Sequence, residues 1–265
     1  MIQNFENKVA WVVGASSGIG EEIALQINAA GGTVVLSARR AEKLEAVQKK
    51  LKYPEKAGII ALDLEKQADF EAKANEIAAQ FGRIDYLYNN GGLSQRGNAA
   101  ETPMEVDRRI MEINYFGNIA LTKAVLPIMQ KQKSGHIVVI SSIAGKFGFY
   151  LRSAYAASKH ALQGFYESLL LEEAHNNIKV TIAYPGKINT EISKSALNAD
   201  GHAHGVMDHN QETGMPVEEC VCKLQKAVTK EKKSVLIGNK EIWAVHIKRF
   251  FPRLFWKIIK NQSPT

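Results

Sequence analysis

Val9-Ala10-Trp11-Val12-Val13-Gly14-Ala15-Ser16-Ser17-Gly18-Ile19-Gly20 is the stretch that decides how this chain folds. Five apolar residues read as a short buried strand, three glycines turn the backbone, and a helical run is expected over 21–30. Glycines at such a junction permit a sharp turn and let a pyrophosphate approach the helix N-terminus, where unsatisfied N–H groups and the helix dipole favour anions. The spacing is Gly-x-x-x-Gly-x-Gly, at Gly14, Gly18 and Gly20.

Working outward, strand-like and helix-like runs alternate. Further strands are expected at 33–37, 58–62, 84–88, 137–140, 180–183 and 234–237, with helices at 41–51, 66–81, 106–130, 154–175 and 217–229. Such alternation implies an α/β fold: one doubly wound Rossmann-type domain over 1–240, with a seven-stranded parallel sheet and helices on both faces. Residues 241–265 form a separate basic tail.

The 265 residues suffice for one large domain, and 45% apolar with 23% charged residues is ordinary for a globular protein. Two cysteines, Cys220 and Cys222, offer neither a disulfide framework nor zinc spacing, which fits a reducing, cytoplasmic setting. No signal sequence or membrane-spanning run is read in the chain. The net charge of +7 is local: residues 221–265 hold eleven Lys or Arg against two Glu, leaving −2 for the rest. A nucleic-acid surface spread over the body is therefore not expected.

The chemistry is carried by a second stretch. Ile137-Val138-Val139-Ile140 ends in Ser141-Ser142, and Tyr155 and Lys159 follow one helical turn apart. A strand delivering a serine and a helix presenting Tyr and Lys suit acid–base work on a carbonyl or alcohol. Free tyrosine titrates near 10, but an ammonium about 4 Å away would stabilise the phenolate by about 4 kcal/mol at an effective dielectric of about 20. No Gly-x-Ser-x-Gly elbow is present, so a serine hydrolase is disfavoured.

With Asp63, Asn89-Asn90-Gly91-Gly92, Asn114, and Pro185-Gly186 before Thr190, the chain resembles the short-chain dehydrogenase/reductase family over residues 5–240. The tail adds a resemblance to its hydroxysteroid-dehydrogenase-like branch. Val13 stands where Thr is common, and Gly91 where Ala is usual. The resemblance implies Tyr155 as general acid/base, Ser142 as oxyanion donor, Lys159 at the nicotinamide ribose, and Asn114 holding a water that links Lys159 to solvent. It also implies cofactor contacts from Gly14, Ser16, Ser17, Gly18, Ile19, Gly20, Arg39, Arg40, Asp63, Leu64, Asn90, Gly91, Pro185, Gly186, Ile188 and Thr190, besides Tyr155 and Lys159. Relatives that use NAD carry Asp where this chain has Ala38, and two arginines follow; guanidinium forks suit a 2′-phosphate, so NADP(H) is expected.

Residues 190–215 fall where such enzymes carry a mobile substrate lid. Its His202, His204, Asp208 and His209 are read as loop polarity, with no metal expected. In the tail, Phe251, Leu254, Phe255, Ile258 and Ile259 repeat at helical spacing beside Arg253, Lys257 and Lys260, after Pro252 at a helix start. That composition suits an interfacial helix, so 242–260 is a candidate for peripheral membrane contact; packing on the body or on another subunit is the competing reading. The expected function is NADP(H)-dependent interconversion of a small, apolar ketone or aldehyde and its alcohol, in a homodimer or homotetramer. The alternatives are a 3-oxoacyl-carrier-protein reductase and a non-catalytic NADP(H)-binding module.

Overall fold

The computed structural model describes residues 4–262; the outermost residues of the segments 1–240 and 241–265, namely 1–3 and 263–265, lie outside the described residues. Seven parallel strands form the central sheet: β1 (Val9–Val13), β2 (Thr33–Ser37), β3 (Ala57–Ile59), β4 (Tyr86–Asn89), β6 (Gly135–Ile140), β7 (Ile178–Pro185) and β9 (Ser234–Ile237). Their order is β3-β2-β1-β4-β6-β7-β9, so the chain reverses direction across the sheet between β1 and β4. A two-stranded ribbon pairs β5 (Gln95–Arg96) with β8 (Leu197–Asn198).

Every residue of β1 is buried, as a strand covered on both faces requires. One face packs α3 (Phe70–Phe81), α4 (Met104–Met111), α5 (Gly117–Gln132) and α6 (Ser153–Glu172) through Ile77, Ile110, Val125 and Leu162. The other packs α1 (Gly18–Ala29), α2 (Ala41–Gln48) and α8 (Val217–Thr229) through Ile23, Leu44 and Leu224. These apolar positions recur at helical spacing on one stripe of each helix, which is why the sheet is enclosed from both sides.

The helix expected as one piece over 106–130 is two. A π-helical turn at Glu112–Phe116 separates α4 from α5 and buries Asn114 completely. After the short α7 (His209–Glu212), the chain ends in α9 (Trp243–Phe250) and α10 (Pro252–Ile259), with Pro252 in the first turn of α10. Among the described residues no helix is long and apolar enough to cross a membrane.

Candidate active site

Strands β1, β4, β6 and β7 end at one edge of the sheet, and the loops after them enclose a groove beside the reversal of strand order. One half, of about 460 Å³, is lined by Gly14, Ser16, Ser17, Gly18, Ala38, Arg39, Arg40, Asp63, Leu64 and Gly91. The other, of about 500 Å³, is lined by Ser142, Tyr155, Lys159, Pro185, Gly186 and Ile188. Ile19, Asn90 and Thr190 border both.

Gly20 stands behind the groove. A Cβ there would lie 2.2 Å from the Gly14 carbonyl oxygen, so only glycine lets α1 approach the turn after β1 this closely. Gly14 itself has φ +78° and lies against Gly91, where a Cβ would meet the Gly91 backbone at 2.9 Å. Asn90 Nδ2 donates to the same Gly14 carbonyl at 3.1 Å, tying the end of β4 to the turn. Gly91, where the family commonly has alanine, lies under Leu64: a Cβ would come 2.7 Å from its Cδ1. No side chain caps the first-turn N–H groups of α1, although Ser17 occupies the N-cap position. An open helix N-terminus beside a cradle kept clear by glycines fits a pyrophosphate. Ala38, Arg39 and Arg40 follow β2 with no carboxylate among them, and Arg39, Arg40 and Lys43 line the wall beyond β2.

In the second half, the end of β6 separates two hydroxyls. Ser141 turns back to donate to the Lys159 carbonyl at 3.2 Å, whereas Ser142 lines the cavity, its Oγ donating to the Pro185 carbonyl at 3.5 Å and accepting from the Ala144 N–H at 3.2 Å. Tyr155 and Lys159 share one face of α6, both buried. Burial raises the proton affinity of the Tyr155 phenol above the ordinary tyrosine value, and the nearby Ser142 hydroxyl and the charges of Arg152 and Arg96 oppose it. Burial lowers the Lys159 ammonium to about 8.

The expectation that Lys159 depresses Tyr155 is corrected here. Its Nζ donates to the Ile140 carbonyl at 2.9 Å and lies 5.7 Å from the Tyr155 ring centroid, so burial outweighs its pull. Asn114 is held by exchange with the Leu93 backbone, its Oδ1 accepting at 2.7 Å and its Nδ2 donating at 2.8 Å. Between Asn114 and Lys159 lies Gly92, where a Cβ would stand 2.9 Å from Asn114 Oδ1 and 3.7 Å from Lys159 Nζ. The absence of a side chain at Gly92 keeps that gap open.

Several site residues were not found from sequence. Arg96 donates through Nε to Asp208 at 2.8 Å, a buried pair 112 positions apart, and Arg152 joins the same carboxylate at 3.4 Å. Nothing local announces such a pairing. Asp208 therefore anchors the segment 190–215 to the body, and His204 stands 3.6 Å from it. Among the described residues no group of three or more His, Cys, Asp or Glu gathers as a metal site. The tail roofs the cavity: Phe255, 1% exposed, meets Phe147 at 5.2 Å between ring centroids, and Ile247 and Ile259 line the wall. Trp243, Phe250, Phe251, Leu254, Trp256 and Ile258 remain exposed.

Comparison with known proteins places this geometry among relatives. Residues 8–201 match the short chain dehydrogenase family. Dehydrogenase/reductase SDR family member 7B of Mus musculus is 42% identical over 263 residues, covering 97% of this chain and 81% of that protein. The SDR family protein 7-like of Anopheles gambiae is 41% identical, covering 98% and 84%. A short-chain dehydrogenase of Streptomyces avermitilis superposes with a TM-score of 0.82 at 32% identity, covering 97% of this chain and 98% of its own. A short-chain dehydrogenase/reductase of Burkholderia phymatum, solved in complex with NAD, superposes with a TM-score of 0.83 at 21% identity, covering 100% and 98%.

Proposed function

The chain belongs to the short-chain dehydrogenase family, and from that premise we propose that it interconverts an apolar ketone or aldehyde and its alcohol with NADP(H), Tyr155 acting as general acid and base. The observation that carries this reading is the convergence of Ser142, Tyr155 and Lys159 on a cavity continuous with the glycine-lined groove. When bound, the dinucleotide supplies or takes up the hydride.

In reduction, the Tyr155 hydroxyl gives its proton to the carbonyl oxygen while Ser142 donates a hydrogen bond to the same oxygen as charge develops. Burial favours the protonated phenol, the form needed for that direction. Lys159, one turn along α6, holds positive charge in the half of the groove that Tyr155 lines, and the gap beside Gly92 gives Asn114 access to it. The preference for NADP(H) rests on Arg39, Arg40 and Lys43 in the wall where a carboxylate would have opposed a 2′-phosphate. Ile143, Phe147, Phe149, Phe255 and Ile259 make an apolar chamber for the substrate. The exposed aromatic residues of α9 and α10, with Arg249, Arg253 and Lys257 among them, support peripheral contact with an anionic membrane surface.

The test is a panel of carbonyl compounds scored by NADPH and NADH oxidation with the full chain and with Tyr155→Phe. Turnover favouring NADPH, reduced about 10²–10⁴-fold in the variant, is expected. Undiminished turnover by Tyr155→Phe would overturn the assignment of the acid, and equal use of both coenzymes would overturn NADP(H).

A further inference from the structure

The helix that carries Tyr155 and Lys159 starts without a cap of its own. Arg152 occupies the N-cap position, at φ −137° and ψ 33°, and its side chain makes no bond to the first-turn amides. The N–H groups there are buried, and a buried amide without an acceptor is costly. Two of them, from Ala154 and Tyr155, donate to a single atom: Gln95 Oε1, at 2.9 and 3.2 Å. Gln95 is fully buried on β5 and has no place in the proton-transfer scheme above. Because both neighbours are donors, the oxygen and not the amide nitrogen must face the helix.

Gln95 is also where the lid enters. Strand β5 pairs with β8 in the register Gln95↔Leu197, and the Leu197 N–H donates to the Ser94 carbonyl at 3.0 Å. The next residue, Arg96, holds Asp208 farther along the same segment. The segment that closes the cavity, through Ile192 and Gln211, is thus hydrogen-bonded to the strand that caps the catalytic helix.

We propose that Gln95 is a positioning residue for Tyr155, fixing the first turn of α6 and hence the phenol, and that the docking of β8 on β5 sets Gln95 in turn. This rests on Tyr155 being the acid/base. A neutral amide suits the task. A carboxylate would accept the same two bonds and gain from the helix dipole, but would bring negative charge beside the phenol. The charged and titratable groups around that phenol are Lys159 on α6, Arg152 just before it, Arg96 on β5, and Asp208 and His204 on the lid.

The experiment compares Gln95→Ala and Gln95→Glu with the wild type in the full chain. It measures kcat and kcat/KM for alcohol oxidation against pH, NADPH affinity by fluorescence, and thermal midpoint. Gln95→Ala should lose about 10²-fold in kcat with NADPH affinity within about twofold. Gln95→Glu should keep the wild-type midpoint but move the basic-form limb of kcat/KM upward by about one pH unit or more. Wild-type kcat in Gln95→Ala, once corrected for folded fraction, would overturn the proposal. A wild-type pH limb in well-folded Gln95→Glu would also overturn it. Tyr155→Phe is run alongside: if it stays active, the premise about Tyr155 fails, whatever Gln95 does.

Discussion

In the glycine-lined half of the groove backbone meets backbone, whereas the substrate half is closed by side chains arriving from far along the chain. Gly20 lies against the Gly14 carbonyl and Gly14 against Gly91, contacts made within a strand–turn–helix unit and its neighbouring strand. The roof is Phe255 on Phe147, and the lid is Asp208 on Arg96 and Arg152. The first kind of site tolerates almost no added volume. The second can change shape by repacking, which is how one family holds its cofactor fixed and varies its substrates.

The largest effect should come from adding one methyl group to the rigid half. In Gly20→Ala the new Cβ would stand 2.2 Å from a backbone oxygen that is itself held by Asn90, so α1 must shift away from β1. Overpacking of this kind costs about 1–3 kcal/mol, and here it falls on the helix end that faces the groove. We expect NADPH affinity measured by fluorescence titration to fall about 10²-fold. Affinity within twofold of wild type would show that the cradle is as adaptable as the roof, and the contrast would fail.

The roof should answer differently on its two faces. Phe255→Ala removes the buried ring that closes the chamber and should raise KM for apolar carbonyls about tenfold, leaving NADPH affinity within about twofold. Replacing the exposed Phe250, Phe251 and Trp256 with serine should leave KM for a water-soluble substrate unchanged and remove sedimentation with anionic vesicles. If the outward variant sediments like wild type, the exposed aromatics are not a membrane contact. If Phe255→Ala leaves KM untouched, the tail is no roof.

This contrast also explains what could be read without coordinates. The β1–α1 junction, the seven parallel strands and the Tyr155/Lys159 pair follow from short-range signals: β-runs, glycine spacing, and a pair one turn apart on a helix; Asn114, and Ser142 rather than Ser141, come only from the family resemblance. The π-helical turn that buries Asn114 left no such signal, because its residues are as helix-compatible as those around them. Gln95 and Arg96 sit in a polar stretch that reads as loop, and their meaning comes only from partners at 154–155 and 197–208. The tail's apolar repeat was legible as a stripe. Which of its residues turn inward depends on the body beneath: Phe255 and Ile259 are buried, while Phe251, Leu254 and Ile258 are not.

The smallest effect at neutral pH concerns the sheet both halves stand on. His136 on β6 is buried with its Nε2 2.8 Å from Thr181 Oγ1, and that hydroxyl donates to the Lys232 carbonyl at 2.7 Å, so Nε2–H must be the donor. Burial, aided by Lys179, lowers its pKa from the ordinary 6.5 to about 4. A base whose folded pKa lies below its unfolded value is fully stabilising above the unfolded pKa, and that contribution is lost as acid protonates the unfolded chain first. Stability should fall between pH 6.5 and 4, by about 3 kcal/mol in all. His136→Gln offers an N–H donor without the titration, so urea midpoints of variant and wild type should converge or cross in the variant's favour as pH falls from 7 to 4.5. A difference that stays constant over that range would mean that the imidazole takes up its proton equally in the folded and unfolded chain. The sheet beneath groove and roof would then carry no acid-sensitive element at this position.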